Sequence, residues 1–419
     1  MPERENGSSP TPTAAVGIVG AGQLARMVCE AASVLSIRTA VLAGHHDDAA
    51  ASVAHDVVVG TPADAIAMRT MAQCCDVLTF DHEQVDLGVL ADLERAGTLL
   101  RPGLETLRMA VDKAQMRARL QAGGLPVPAY EVLDGPPGAS TSHVAGALEA
   151  FASRYGWPVV VKATRGGYDG KGVWVVHDAG EAQRVVAGAA ANATPLLVEE
   201  LVKIDIELAV VVARRADGET VAWPPVETAQ IDGVCREVVY PGRVPPALAR
   251  EASALAREVA GVAGVTGVLA VELFSADGRL LVNEIAARPH NSAHWTIEGA
   301  TTSQFENHLR AVLDLPLGDT SPIASHVASV NIFGAPSGGT GSTGSTGSTG
   351  GRGPGSGLAH ALAVRGAHVH LYGKAPRPGR KLGHVTICGE DARDVRRRAW
   401  AAATALGTPV PASLDLGTP

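Results

Sequence analysis

A chain of 419 residues exceeds the length at which one hydrophobic core usually stops growing, so two or three domains are expected. With 46% hydrophobic and 19% charged residues it groups with globular proteins, and a net charge of −8 with dispersed Lys and Arg argues against a nucleic-acid partner. Five cysteines without a C-x-x-C pair form neither a disulfide framework nor a zinc set, and no apolar run reaches membrane-spanning length. A cytoplasmic protein with no membrane partner is the expectation.

Residues 1–13 are polar and proline-bearing and read as a disordered tail. Ala14 to Val19 forms an apolar strand leading into Gly20-Ala21-Gly22, after which Leu24, Met27, Val28 and Ala31 recur at helical spacing. Strand-like runs at 39–42, 56–59 and 77–80 complete an open α/β sheet, giving a first domain over 14–105. The turn Gly20 to Ala25 fits G-x-G-x-x-A, the weaker form of a dinucleotide fingerprint, and suggests an NAD(P) oxidoreductase. That reading needs an acid at the end of the second strand to hold a ribose hydroxyl. Here the strand ends Ala43-Gly44-His45-His46, so the turn is left as a general phosphate-binding candidate.

The segment 105–121 reads as one helix, and Pro126 and Pro128 keep the chain after it from continuing as helix. Val159-Val160-Val161 then makes a β-branched strand ending in Lys162, followed by Gly166, Gly167, Tyr168, Asp169, Gly170, Lys171 and Gly172. Glycine amides approach phosphate oxygens closely, so this is either a flap over polyphosphate or a glycine-rich hairpin with incidental charges. Further strands are expected at 195–201 and 207–213. The junction Glu199-Glu200-Leu201-Val202 offers a backbone carbonyl to an adenine amino group, and Glu207 a carboxylate to ribose, although alone it is an ordinary acidic turn.

A helix starts near Pro246, with Leu248, Ala252, Leu255 and Val259 on one face. A hairpin covers 266–274 and 279–285 around Ser275-Ala276-Asp277-Gly278. Glu272 alternates away from Leu269, Val271 and Leu273, and Asn283-Glu284 lies on the returning strand, so two carboxylates and an amide offer hard ligands to Mg²⁺. The bland reading is a pair of exposed strand glutamates. Arg288 suits bidentate anion binding, whereas His290 and His294 lack the third ligand that catalytic zinc requires. A Gly/Ser/Thr tract over 335–357 reads as a linker. Beyond it, 358–419 holds strands at 368–372 and 384–388 and a helix at 393–406, an α+β unit too small for comfortable independence and expected to pack on the main body. Its basic turn offers Arg380 and Lys381 to a phosphate monoester.

Taken in order, G-A-G-Q-L-A-R-M, T-F-D-H-E-Q-V, V-K-A-T-R-G-G-Y-D-G-K-G, V-E-E-L-V, V-E-L-F, N-E-I-A-A-R-P-H-N-S-A-H-W and P-G-R-K-L-G-H resemble the ATP-grasp superfamily, and within it the 5-(carboxyamino)imidazole ribonucleotide synthase family. The resemblance runs from about Val16 to His384. It implies a Rossmann-like N-terminal (pre-ATP-grasp) domain, an ATP-grasp body over 106–330 with a mobile lid at about 125–202, and a small C-terminal domain, mixing α/β and α+β. The implied reaction is that of a carbon–nitrogen ligase using ATP, bicarbonate and 5-aminoimidazole ribonucleotide in purine biosynthesis, by a homodimer.

By the same resemblance ATP is held by Lys113, Lys162, the 166–172 flap, residues 199–202, Glu207, Gln230, Asn283 and Glu284. Two Mg²⁺ ions are implied on Glu272 and Glu284. The ribonucleotide and bicarbonate are assigned to Gly22, Gln23, Leu24, Glu83, Tyr168, Asp169, Arg288, His290, Asn291, Arg380 and Lys381, with Asp169, Arg288 and His290 as catalytic candidates. Lys113, Gln230, Ala287 and Ala293 depart from the residues usual in the family, where Arg, His, Pro and Gly are common. Another carboxylate-activating ATP-grasp enzyme and a non-catalytic nucleotide sensor are the remaining alternatives.

Overall fold

The computed structural model describes residues 15–133, 140–167, 170–334 and 356–416. Tyr168 and Asp169, residues 1–13 and most of the Gly/Ser/Thr tract lie outside the described residues. Strands β1 (Ala15–Val19), β2 (Arg38–Ala43), β3 (Asp56–Val59) and β4 (Val77–Phe80) form a parallel sheet in the order β3-β2-β1-β4. β1 and β4 are buried nearly throughout, as continuous apolar strands sandwiched between helices must be. The helix Gln23–Val34 covers one face and Ala65–Cys74 the other, the latter capped by the Asp64 carboxylate on the amides of Ile66 and Ala67.

The expected single helix at 105–121 is two helices, Leu104–Val111 and Lys113–Ala122. Asp112 breaks it by taking extended backbone (φ −128°, ψ 107°) and accepting hydrogen bonds from Ala114 and Gln115 as the second helix's N-cap. The apolar spacing continues across the break, which is why periodicity alone reads through it.

A second sheet is antiparallel, in the order β5-β8-β6-β7, from β5 (Tyr130–Val132), β6 (Val159–Ala163), β7 (Val173–Val176) and β8 (Leu196–Glu200). Its inner face packs Val159, Val161 and Val198 against Leu148, Phe151 and Val186 of the helices Thr141–Tyr155 and Ala179–Ala191. This layer is a small two-layer unit with its own core.

The third sheet has nine strands: β9 (Ile206–Arg214), β10 (Thr220–Ala222), β11 (Val226–Ile231), β12 (Val234–Tyr240), β13 (Gly267–Ala276), β14 (Arg279–Ala286), β15 (His326–Phe333), β16 (His368–Leu371) and β17 (Lys381–Gly389). The main path runs β14-β13-β9-β11-β12-β15-β17-β16, with β10 on β9. The helix Pro246–Ala263 begins with proline in its first turn and ends at Gly264 in the left-handed region, and its buried face includes Leu255 and Val259. The C-terminal strands are therefore more than a packed cap. β17 pairs with β15 along eight registered positions, so the last part of the chain extends this third sheet.

Candidate active site

A cleft of about 1350 Å³ opens where the three sheets meet. Its first wall is the glycine turn after β1. The Gly22 amide donates to Oδ2 of Asp81 at 2.7 Å, and Asp81, at the end of β4, is 6% exposed, its Oδ1 making no hydrogen bond and lying 3.6 Å from His82 Nε2. A Cβ on Gly20, where φ is +113°, would sit 1.7 Å from that Oδ1. The glycine fingerprint is thus used here for close approach of a carboxylate from the neighbouring strand. Burial raises the pKa of Asp81, opposed by His82, the Gly22 amide, Arg288 and Lys374.

The opposite wall carries a buried ion network. Lys162, at the end of β6, is 2.7 Å from Glu199 Oε2 and donates to Asn283 Oδ1 at 3.1 Å. Arg117 Nε donates to Glu199 Oε1 at 2.6 Å. Burial lowers the pKa of Lys162 and Glu199 raises it back in part, with the net shift downward. For Glu199, burial would raise the pKa, and the charges of Arg117 and Lys162 override it and hold the carboxyl below its usual range. The carboxylate of Glu199 is therefore engaged by two cations, and that of Glu200 accepts from the Ala129 amide at 2.9 Å. What this junction offers an adenine is backbone, beside the apolar side chains of Leu201, Val202, Val175 and Phe274. Glu207 lines the same end and is pushed up to about 7 by burial.

The helix break at Asp112 places Lys113 on the cleft, with its amide donating to the Thr164 carbonyl at 2.8 Å and its ammonium paired with Glu284. Glu272 and Glu284 are direct partners in the β13–β14 register. The next pair is Leu273 with Val282, so Asn283 is an extra residue, a bulge that lets Asn283 and Glu284 both line the cleft despite being consecutive. Burial, then the charges of Glu284 and Glu207, push Glu272 up to about 7. A half-buried pair of facing carboxylates beside an amide oxygen fits a hard divalent cation, which would relieve their repulsion. Among the described residues no cluster of three or more His, Cys, Asp or Glu has the geometry to hold a metal ion.

The third wall lies beyond the end of β14. Arg288 Nε donates to Glu83 Oε2 at 2.9 Å, and although burial opposes its charge, Glu83 keeps the guanidinium cationic. His290 Nε2 is 3.6 Å from Glu272 Oε1 and its Nδ1 is 2.9 Å from Ser292 Oγ. Burial, then Arg288, Lys381 and His294, lower the His290 pKa well below the ordinary value, so its ring is neutral at physiological pH. Gln304 clamps the His290 backbone from both sides, accepting from its amide and donating to its carbonyl, each at 2.8 Å. Lys374 pairs with Gln23 across the cleft from the C-terminal segment, next to Lys381.

The cleft gathers Gly22, Gln23, Leu24, Glu83, Lys113, Lys162, Gly166, Gly167, Gly170, Glu199 to Val202, Glu207, Gln230, Glu272, Asn283, Glu284, Arg288, His290, Asn291 and Lys381. Lys171, Gly172 and Arg380 do not line it. Arg380 instead donates to the Ala375 carbonyl at 3.1 Å, bracing the basic turn. Sequence reasoning missed Asp81, Arg117 and Lys374. Asp81 carried a usable signal in T-F-D-H-E, two residues before Glu83, whereas a lone helical Arg117 carried none.

Three family models match in chain order: a ribonucleotide synthetase preATP-grasp domain over 13–111, an ATP-grasp domain over 118–305, and a phosphoribosylaminoimidazole carboxylase C-terminal domain over 328–398. The chain is 44% identical over 391 residues to the N5-carboxyaminoimidazole ribonucleotide synthase of Mycobacterium tuberculosis, covering 93% of this chain and 86% of that one. It is 40% identical to that of Corynebacterium ammoniagenes, covering 93% and 91%. The Thermus thermophilus synthetase superposes with a TM-score of 0.80 at 34% identity, covering 94% and 99% of the two chains. An Aspergillus clavatus synthase solved with ADP and 5-aminoimidazole ribonucleotide gives 0.81 at 29%, covering 94% and 98%. With three domain models matched in order and this identity and coverage, this chain belongs to the N5-carboxyaminoimidazole ribonucleotide synthase family of ATP-grasp ligases.

Proposed function

We propose that this protein couples ATP cleavage to carboxylation of 5-aminoimidazole ribonucleotide by bicarbonate, giving N5-carboxyaminoimidazole ribonucleotide, ADP and phosphate in purine biosynthesis. The observation that carries this reading is one cleft holding both a buried lysine–carboxylate phosphate side and a separate cationic side of Arg288, Lys374 and Lys381. A bicarbonate oxygen attacks the γ-phosphorus as the bond to ADP breaks, forming carboxyphosphate. The exocyclic amine then attacks the carboxyl carbon, losing a proton as phosphate leaves.

Lys162 and Lys113 hold phosphate oxygens, and the glycine flap with Tyr168 and Asp169 closes over both substrates to exclude water, which would hydrolyse carboxyphosphate. Glu272, Glu284 and Asn283 would hold Mg²⁺, which neutralises charge on the transferring phosphoryl group. Arg288 fixes bicarbonate or the developing carboxylate through its planar fork, beside the neutral His290 ring, which adds no competing charge. Lys381, Lys374 and the Gly22 turn take the ribonucleotide phosphate end, with Arg380 bracing their loop. Family likeness supports a homodimer acting in the cytoplasm.

The test is phosphate release measured with ATP, bicarbonate and the ribonucleotide, each omitted in turn. Release is expected to depend on all three. Equal release with formate and glycinamide ribonucleotide in their place would move the protein to another branch of the superfamily.

A further inference from the structure

We infer that Arg117, which lies outside the cleft lining, is a positioning residue for the nucleotide phosphates: it fixes Lys162 through Glu199 and fixes the Asn283–Glu284 strand through its carbonyls. Arg117 is 1% exposed on the helix Lys113–Ala122. Its guanidinium makes three hydrogen bonds: Nε to Glu199 Oε1 at 2.6 Å, Nη1 to the Val282 carbonyl at 3.1 Å, and Nη2 to the Asn283 carbonyl at 2.7 Å. Glu199 Oε2 then meets Lys162 Nζ at 2.7 Å, and Lys162 donates to the Asn283 side chain at 3.1 Å.

These contacts close a ring. Starting at Arg117, it passes through Glu199 on β8 and Lys162 on β6, crosses to Asn283 on β14, and returns to Arg117. Two strands of the lid sheet and the carboxylate strand of the body are thereby tied to one helix, whose first residue, Lys113, also reaches the cleft. A planar fork with separate donors can serve a carboxylate and two carbonyls at once, which a single ammonium cannot do with the same geometry. The arrangement also has an electrostatic consequence. Without Arg117, Lys162 would be the only cation against a buried Glu199, and its ammonium would be held more tightly by that carboxylate and be less available to phosphate.

The inference rests on Lys162 facing the nucleotide, and its test does not require turnover. Dissociation constants for MgADP and for a non-hydrolysable ATP analogue are measured by calorimetry on wild-type protein, Arg117→Met and Arg117→Lys, together with thermal midpoints and, where turnover is present, KM for each substrate. Arg117→Met is expected to weaken nucleotide binding roughly tenfold or more, the scale of one charged hydrogen bond, while KM for the ribonucleotide stays within about twofold. Arg117→Lys keeps the charge and serves as the folded control, with binding weakened several-fold less than in Arg117→Met. A merely structural pin predicts a lower thermal midpoint and a smaller active fraction at unchanged nucleotide affinity. That result, or wild-type affinity in Arg117→Lys with both KM values unchanged, overturns the inference. Failure of wild-type protein to carboxylate the ribonucleotide would count against the proposed reaction and leave the nucleotide affinities to decide the role of Arg117.

Discussion

Glu272 and Glu284 face each other as register partners across β13 and β14, and the charge of Glu284 adds to burial in pushing Glu272 up to about 7. Lys113, paired with Glu284, offsets part of that repulsion, and a divalent cation between the two carboxylates would offset more. Glu284→Ala is therefore expected to lower ATP cleavage about a thousandfold, the scale of several kcal/mol of lost charge stabilisation. Phosphate release by that variant at the wild-type rate would remove the metal assignment.

The assignment of Lys381 and Asp169 to the ribonucleotide predicts a different kinetic signature. Lys381→Ala and Asp169→Ala are expected to raise KM for the ribonucleotide roughly tenfold to a hundredfold, with KM for ATP little changed. Initial rates with each substrate varied separately check this. A rise confined to KM for ATP would remove the assignment of both residues to the ribonucleotide.

The turn at Gly20 makes a stability prediction. Because φ is +113° and an added Cβ would overlap Asp81 Oδ1, Gly20→Ala should cost about 3 kcal/mol or more by urea denaturation. Adding Asp81→Ala should recover part of that loss, since the overlap goes and only the backbone strain stays. A Gly20→Ala protein as stable as wild type would show that the carboxylate is not held over the turn.

Buried imidazoles set the response to acid. His308 bridges the first domain and the body, its Nε2 lying 2.8 Å from Thr79 Oγ1 and its Nδ1 accepting from the Val268 amide, and burial lowers its pKa to about 4. A folded pKa below the unfolded value means that the folded state binds fewer protons between pH 6.5 and 4. Stability is thus full above about pH 6.5 and falls as pH drops through that window, by roughly 3 kcal/mol from His308 at the limit. His290, His294 and His384 shift in the same direction from burial and add to the loss. Denaturation midpoints from pH 8 to 4 should show this slope, and His308→Gln should flatten it. An unchanged slope in that variant would contradict the buried neutral assignment.

Much of this site was readable in order along the chain. The β-branched run into Lys162, the flap glycines, the alternation that isolates Glu272 and the basic turn at Lys381 each announce their chemistry within a dozen residues. The helix at 105–121 shows the limit of that reading, since apolar spacing continues through Asp112 and only its extended backbone reveals the break. Glu199 shows another. Its motif points to a backbone carbonyl for adenine, and nothing in it shows that the side-chain carboxylate is held by Arg117 and Lys162.

Which groups exist and in what order is legible along the chain, because strand period, helix spacing and turn chemistry are local properties. Only the tertiary structure decided which groups meet. Arg117 reaches Glu199 across 82 residues and Asn283 across 166, Asp81 lies over a turn 59 residues earlier, and a bulge turns Asn283 and Glu284 to one cleft. Those meetings arise from sheet register and the need to pair buried charges, and neither leaves a periodic trace in sequence.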